Sequence, residues 1–222
     1  MGEKTGASNR YSFVITDVDG TIVDRIPGYT KIFADLVSEY GVSENDARHL
    51  FLSTGGTPLD QQLVEVLTLH GHSVSSEKIR ALVALFFERA RVLEAPLFPG
   101  AAEVLEQIKS KELRLCATSG SNTEELETIF ALHKLPYDVV LGSNKIKKGD
   151  AHIAYFANHF VLQLREFCQQ AIYVGDGPMD MIIARQNNIV AVGVTTTVNA
   201  DALIKAGANY IIHDIREVIE LV

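Results

Sequence analysis

Short apolar runs alternate with segments of helical period along most of the chain. SFVIT (Ser12 to Thr16), LRLCAT (Leu113 to Thr118), DVVLG (Asp138 to Gly142), AIYVG (Ala171 to Gly175), IVAVGV (Ile189 to Val194) and NYIIH (Asn209 to His213) each read as a buried strand. Helical stretches lie between most of them. One opens at Gly100 with AAEVLEQIKS, and in TEELETIFALHKL the residues Leu126, Ile129 and Phe130 share a face. Strand alternating with helix predicts a doubly wound α/β domain: a parallel sheet covered by helices on both faces.

The segment 24–96 breaks this rhythm and has no strand pattern. Ile32, Phe33, Leu36, Val37 and Tyr40 form one helical stripe, stopped by Gly41. Ser43, with Asp46 three residues on, predicts the cap of a second helix. Thr57 and Pro58 read as the cap and first-turn proline of a third, which carries Leu59, Leu63, Val66 and Leu67. Ile79, Leu82, Val83, Phe86 and Ala90 mark a fourth. Pro96 and Pro99–Gly100 signal the return to the sheet. The expected organisation is an α/β core of 11–23 and 97–222, a helical insert of 24–96 and a polar, flexible leader of 1–10.

Composition narrows the function classes. With 222 residues, 47% of them hydrophobic, the chain can bury a substantial core. A formal charge of −8 and the lack of a broad basic stretch argue against nucleic acid as a partner. No apolar run approaches the roughly 18 residues of a membrane helix, and the polar start lacks a secretory signal. Cys116 and Cys168 lack metal-ligand spacing and read as reduced thiols, which places the protein in the cytoplasm. Monomer and homodimer both remain open.

The first apolar run ends on Asp17 and Asp19. A buried strand should not finish on paired negative charges without a use for them. In parallel α/β sheets, ligands bind beyond the carboxyl ends of the strands. There the first strand supplies Asp17, Asp19 and Thr21, the second Thr118, Ser119 and Ser121, and the fourth Asp176 and Asp180; Lys148 follows the third. If these strands are neighbours, the carboxylates would repel one another strongly in a partly desolvated cleft. Oxygen-only ligands favour a hard divalent cation, Mg2+, which binds one or two carboxylates together with substrate phosphate. Lys148 would add a fixed positive charge. Ser121 and Glu124 have capping-box spacing, which would place a helix N-terminus, an anion site, just after Thr118.

DVDGT, CATSG, KKGD and VGDGPMD, in this order, resemble the four motifs of the haloacid dehalogenase superfamily. The helical insert resembles the cap of its phosphoglycolate phosphatase and β-phosphoglucomutase-like branch. FPGAAEVLEQI and GVTTTVNADALIKAGANYII also look like that family's connecting text. The resemblance implies a Rossmann-like core with a cap domain over 24–96. It implies Mg2+-dependent hydrolysis of a small phosphorylated metabolite, phosphoglycolate- or sugar-phosphate-like, through an aspartyl-phosphate. Asp17 would be nucleophile and Asp19 general acid and base. Asp17, Asp176 and the Asp19 carbonyl would hold the metal, with Asp180 in support. Thr118, Ser119 and Lys148 would bind the transferring phosphoryl group. The motif lysine is commonly followed by proline; here Gly149 follows Lys148, and Lys147 is adjacent, so either lysine can fill the role.

Two alternatives share these residues: a phosphomutase, and a ligand-binding protein on a retained scaffold. Dehalogenation would need neither Mg2+ nor Asp19. Other features have plainer readings. The HGH of His70 to His72 reads as a loop, Gly55–Gly56 as a turn between helices, and Thr195 to Thr197 as a polar connector. Ser119 and Ser121 read more readily as helix caps than as nucleophiles.

Overall fold

The computed structural model describes residues 10–222, so the leader expected at 1–10 lies, Arg10 apart, outside the described residues. Strand β1 (Phe13–Asp17) is buried along its whole length. It is flanked by β2 (Arg114–Thr118) and β4 (Ala171–Gly175). With β3 (Val139–Leu141), β5 (Val190–Val194) and β6 (Tyr210–Ile212) they form a six-stranded parallel sheet in the order β3-β2-β1-β4-β5-β6. Chain order reverses beside β1, which opens a crevice at the carboxyl ends of β1, β2 and β4.

Successive side chains of β1 alternate between the two faces, as the pleat requires. Val14 joins Leu115, Ala117, Ile172 and Val174 in a core closed by α5 (Ala101–Ser110), α6 (Thr123–Leu132) and the 3-10 turn Ile215–Glu220. Phe13 and Ile15 join Cys116 and Tyr173 in the opposite core. That face is covered by α7 (Asp150–His159), α8 (Leu164–Gln169), α9 (Pro178–Gln186) and α10 (Ala200–Ala206).

Between β1 and α5 run α1 (Ile26–Ser38), α2 (Glu44–Ser53), α3 (Leu59–Leu69) and α4 (Ser76–Ala90). They pack round a separate core that includes Phe33, Leu63, Val66, Leu67 and Phe86. The chain leaves and returns side by side: Asp24 N–H donates to the Pro96 carbonyl at 2.8 Å, and Val23 bridges Leu97. Ser43 caps α2 as its sequence implies, accepting from the Asp46 N–H at 3.1 Å and donating to its carboxylate at 2.7 Å. The start of α3 differs from expectation. Pro58 itself takes the cap position, with φ −53° and ψ 136°, and Thr57 lies outside the helix. An extended ψ at the proline leaves Leu59 as the first residue free to turn helical.

Candidate active site

The turn after β1 is tied tightly. The N–H groups of Ile22 and Val23 both donate to the Val18 carbonyl at 2.9 Å, which folds Asp19 and Gly20 back over the strand end. Gly20 has φ +92°, and a Cβ there would sit 2.2 Å from Asp176 Oδ2. Thr21 donates to Asp176 Oδ1 at 2.8 Å, and the Thr196 hydroxyl donates to the Gly20 carbonyl. The connector Thr195 to Thr197 therefore braces the site, and Thr197 also reaches its cavity.

Asp17, Asp176 and Asp180 are buried, and one carboxylate oxygen from each lies within 4.8 Å of the others. Lys148 Nζ, its side chain 6% exposed, lies 2.6 Å from Asp17 Oδ1 and 2.7 Å from Asp180 Oδ1. Lys147 instead lies exposed at the cavity wall. Asp180, in the first turn of α9, accepts from the Gly177 N–H and the Tyr173 hydroxyl, each at 3.1 Å. Burial raises the Asp17 carboxyl well above its usual range, against the pull of Lys148 and with the push of Asp180 and Asp176. Burial and then Asp180 push Asp176 up to about 6. Burial alone would lower Lys148, but Asp17 and Asp180 hold its ammonium well above its ordinary range.

Asp19 faces a second network. Arg25 Nε donates to its Oδ1 at 2.7 Å, while Ser119 and Ser121 donate to Oδ2 at 2.8 and 2.9 Å. Arg25 also pairs with Glu125 and lies 5.1 Å from the Tyr29 ring centroid. Tyr29 Oη is 3.2 Å from Ser121 Oγ. Ser121 gives its own proton to Asp19, so Tyr29 is the donor in that pair.

Both groups open into a cavity of about 440 Å3 between the sheet's carboxyl edge and the helical insert. Its floor includes Asp17, Asp19, Ser119, Lys148 and Asp176, and its roof includes Phe51, Leu59, Val83 and Phe87. Gly55 and Gly56 are at once the turn between α2 and α3 and part of this wall. Residues 14–194 match the family model described as haloacid dehalogenase-like hydrolase. The chain belongs to that family.

Two relatives match over most of the chain. A validoxylamine A 7'-phosphate phosphatase of Streptomyces hygroscopicus subsp. limoneus is 28% identical, over 94% of this chain and 96% of its own. A phosphoglycolate phosphatase of Synechococcus elongatus is 28% identical over 82% of each. The solved structure of a haloacid dehalogenase-like hydrolase from Streptococcus pneumoniae superposes with a TM-score of 0.77 at 24% identity, covering 95% of this chain and 98% of its own. That last likeness speaks to the fold.

A divalent cation suits the acidic cluster of this hydrolase. Three carboxylates face one ammonium, so negative charge is in excess once all are ionised; burial first, and then the neighbouring carboxylates, raise Asp17 and Asp176. The donors are all oxygen, the set a hard cation prefers. His70 and His72 take no part. His70 Nδ1 bonds the Val66 carbonyl at 2.8 Å and His72 Nε2 the Tyr40 carbonyl at 2.7 Å.

One expectation from sequence changes, and one residue expected at the phosphate has a protein partner. Ser121 does not cap α6: Asn122 occupies the cap position, Ser121 turns to Asp19, and Glu124 turns out to Asn144 and Lys145. A hydrogen bond donated to a carboxylate is stronger than one accepted from a neutral backbone N–H, so the ionic partner wins. Thr118, expected to donate to phosphate, lies 2.7 Å from His152 Nδ1. His152 Nε2 is 2.7 Å from the Ile146 carbonyl, which can only accept, so the proton sits on Nε2 and Nδ1 accepts from Thr118. Burial holds the imidazole neutral, its pKa lowered to about 4.

Arg25, Tyr29, Glu125 and His152 are the residues that sequence reasoning missed. One signal for Arg25 was available. It is a cation at the N-terminal end of α1, where the helix dipole opposes it, so a compensating anion was required nearby.

Proposed function

We propose that this hydrolase is a Mg2+-dependent phosphatase that cleaves the phosphomonoester of a small metabolite through an aspartyl-phosphate on Asp17. The observation that carries the reading is Asp17 on the floor of a cleft beneath the helical insert, in contact with Lys148 and beside Asp176. The phosphatase names of the Streptomyces and Synechococcus relatives support it.

In this scheme an Asp17 oxygen attacks phosphorus in line, and the bond from phosphorus to the ester oxygen breaks. Asp19, protonated in the substrate complex, gives its proton to the departing oxygen, then takes one from the water that attacks the phospho-aspartate. That second step releases inorganic phosphate and restores the Asp17 carboxylate. Lys148, with the Ser119 and Thr118 hydroxyls once they turn from Asp19 and His152, offsets charge on the transferring group. Asp17, Asp176 and the Asp19 carbonyl would hold Mg2+, which when bound lowers the repulsion between the nucleophile and the phosphoryl oxygens. Asp180, through Gly177 and Tyr173, keeps Lys148 in place. The helical insert acts as a cap that keeps bulk water from the phospho-aspartate.

Asp17→Asn should abolish turnover while circular dichroism and melting stay close to wild type. Residual phosphatase activity in pure variant protein would overturn the nucleophile assignment. Slow hydrolysis with rapid isomerisation of a hexose phosphate would assign the same carboxylates to a mutase.

A further inference from the structure

We propose that the alcohol half of the substrate is an apolar body about the size of a ring, so that the preferred substrates are phosphate esters of aromatic or longer aliphatic alcohols. This rests on the phosphatase reading above and departs from the phosphoglycolate- and sugar-phosphate-like substrates that the family resemblance implies. The wall opposite the acidic floor is built from Phe51, Leu52, Leu59, Val83, Phe86 and Phe87. Sugar hydroxyls seated there would give up water without gaining partners, at a cost for each group.

Among the polar residues that line the cavity on this side, Gln62 is committed to the turn, and Lys147, like Asp60 and Arg80, is exposed to solvent. Gln62 Nε2 donates to Thr54 Oγ1 at 2.8 Å, to the Thr54 carbonyl at 3.1 Å and to the Phe51 carbonyl at 3.2 Å, so the amide holds the turn after α2. Arg25 is engaged by Asp19, Glu125 and Ser121 and does not line the cavity. Size points the same way. A cavity of about 440 Å3 lies within the roughly 300–1,000 Å3 of pockets that enclose drug-sized ligands, far more than a two-carbon acid fills.

Straight-chain alkyl phosphates test this, because chain length changes the apolar body while the leaving alcohol's acidity hardly moves. From ethyl to hexyl phosphate, kcat/KM should rise about fourfold per methylene. Phe87→Ser and Val83→Asn should each lower the hexyl-to-ethyl ratio of kcat/KM, a ratio that does not depend on how much of the variant folds. A flat series, or glucose 6-phosphate or 2-phosphoglycolate turned over better than hexyl phosphate, would overturn the proposal and leave the phosphatase reading standing. Binding of alkylphosphonates, which cannot be hydrolysed, separates the two claims. If affinity rises with chain length while no ester is hydrolysed, the apolar wall stands and the phosphatase reading fails. If affinity is independent of length, the apolar wall fails whatever the turnover.

Discussion

Arg25 and Asp19 form a buried ion pair where the chain leaves β1 for the helical insert, with Nε 2.7 Å from Oδ1 and the arginine side chain 2% exposed. The same guanidinium pairs with Glu125 on α6, so one cation neutralises two carboxylates from separate parts of the fold. Burial would by itself favour loss of the Arg25 proton, but Asp19 outweighs it and the group stays charged. Arg25→Met keeps most of the stem and removes the charge, leaving the largely buried Asp19 and the partly exposed Glu125 without a counter-ion. The expected cost is about 3–5 kcal/mol of stability. Arg25→Met combined with Glu125→Leu should recover part of it. Urea denaturation of the two single variants and the double gives the coupling, and additive losses would show that the Arg25–Glu125 contact contributes nothing.

Gly20 is the second point at which the site depends on one backbone position. An alanine there suffers the strain of φ +92° and drives its Cβ to 2.2 Å from the Asp176 carboxylate, which must then move. A displacement on the order of 1 Å in a catalytic constellation costs about 100-fold in rate. Gly20→Ala should therefore lose about 100-fold in kcat. Gly41→Ala is the control: φ is +74° but nothing lies within 4 Å of its new methyl, so it should cost only about 1–2 kcal/mol of backbone strain and leave kcat/KM unchanged. Equal effects of the two changes on kcat would contradict this account.

His152 sets a pH dependence of stability. Its folded pKa of about 4 lies below the ordinary 6.5 because the ring is buried. Between those values the unfolded chain binds the proton and the native protein does not. Stability contributed by the neutral ring is thus fully present above about pH 6.5 and is lost as pH falls towards 4, amounting to about 3 kcal/mol. His152→Gln removes the titration. From neutral pH down to pH 4, wild type should lose about 3 kcal/mol more than the variant in denaturant titrations. Parallel curves would show that the imidazole is not held neutral.

How far the sequence could be read follows from how local each signal is. All six strands were legible because each is a short apolar run between turn residues, and no strand end moved by more than one residue. Asp17, Asp19, Asp176 and Asp180 were legible because strand-end acids stand out against such runs. Ser121 was misread because capping-box spacing is a local pattern, whereas its true partner, Asp19, is 102 positions away. The Thr118–His152 and Arg25–Glu125 contacts span 34 and 100 positions, and only the folded register brings them together. Lys148 and Lys147 carry the same chemistry, and the path of the loop before α7 decides which reaches Asp17. Within α4, Val83 read as part of the buried stripe. In the fold it stands with Phe87, one turn on, at the cavity wall, while Ile79, Leu82 and Phe86 fill the core of the insert.

The acidic cluster makes a final prediction, in which a change at the proposed metal site stabilises the metal-free protein. Burial and Asp180 raise Asp176 to about 6 from an ordinary 3.8. Between those values the native protein holds a proton that the unfolded chain has released, so metal-free stability falls as pH rises through this window. Asp176→Asn removes one of the repelling charges and keeps an oxygen for the Thr21 hydroxyl. In EDTA at about pH 7.5 its Tm should therefore exceed that of wild type. Metal binding needs the carboxylates deprotonated, so Mg2+ should raise the wild-type Tm at about pH 7.5, do so much less at about pH 5, and leave Asp176→Asn almost unmoved at either. A Mg2+ shift of the same size in the variant would place the ion away from Asp176, and a variant less stable than wild type in EDTA would show that the carboxylates do not strain the empty site.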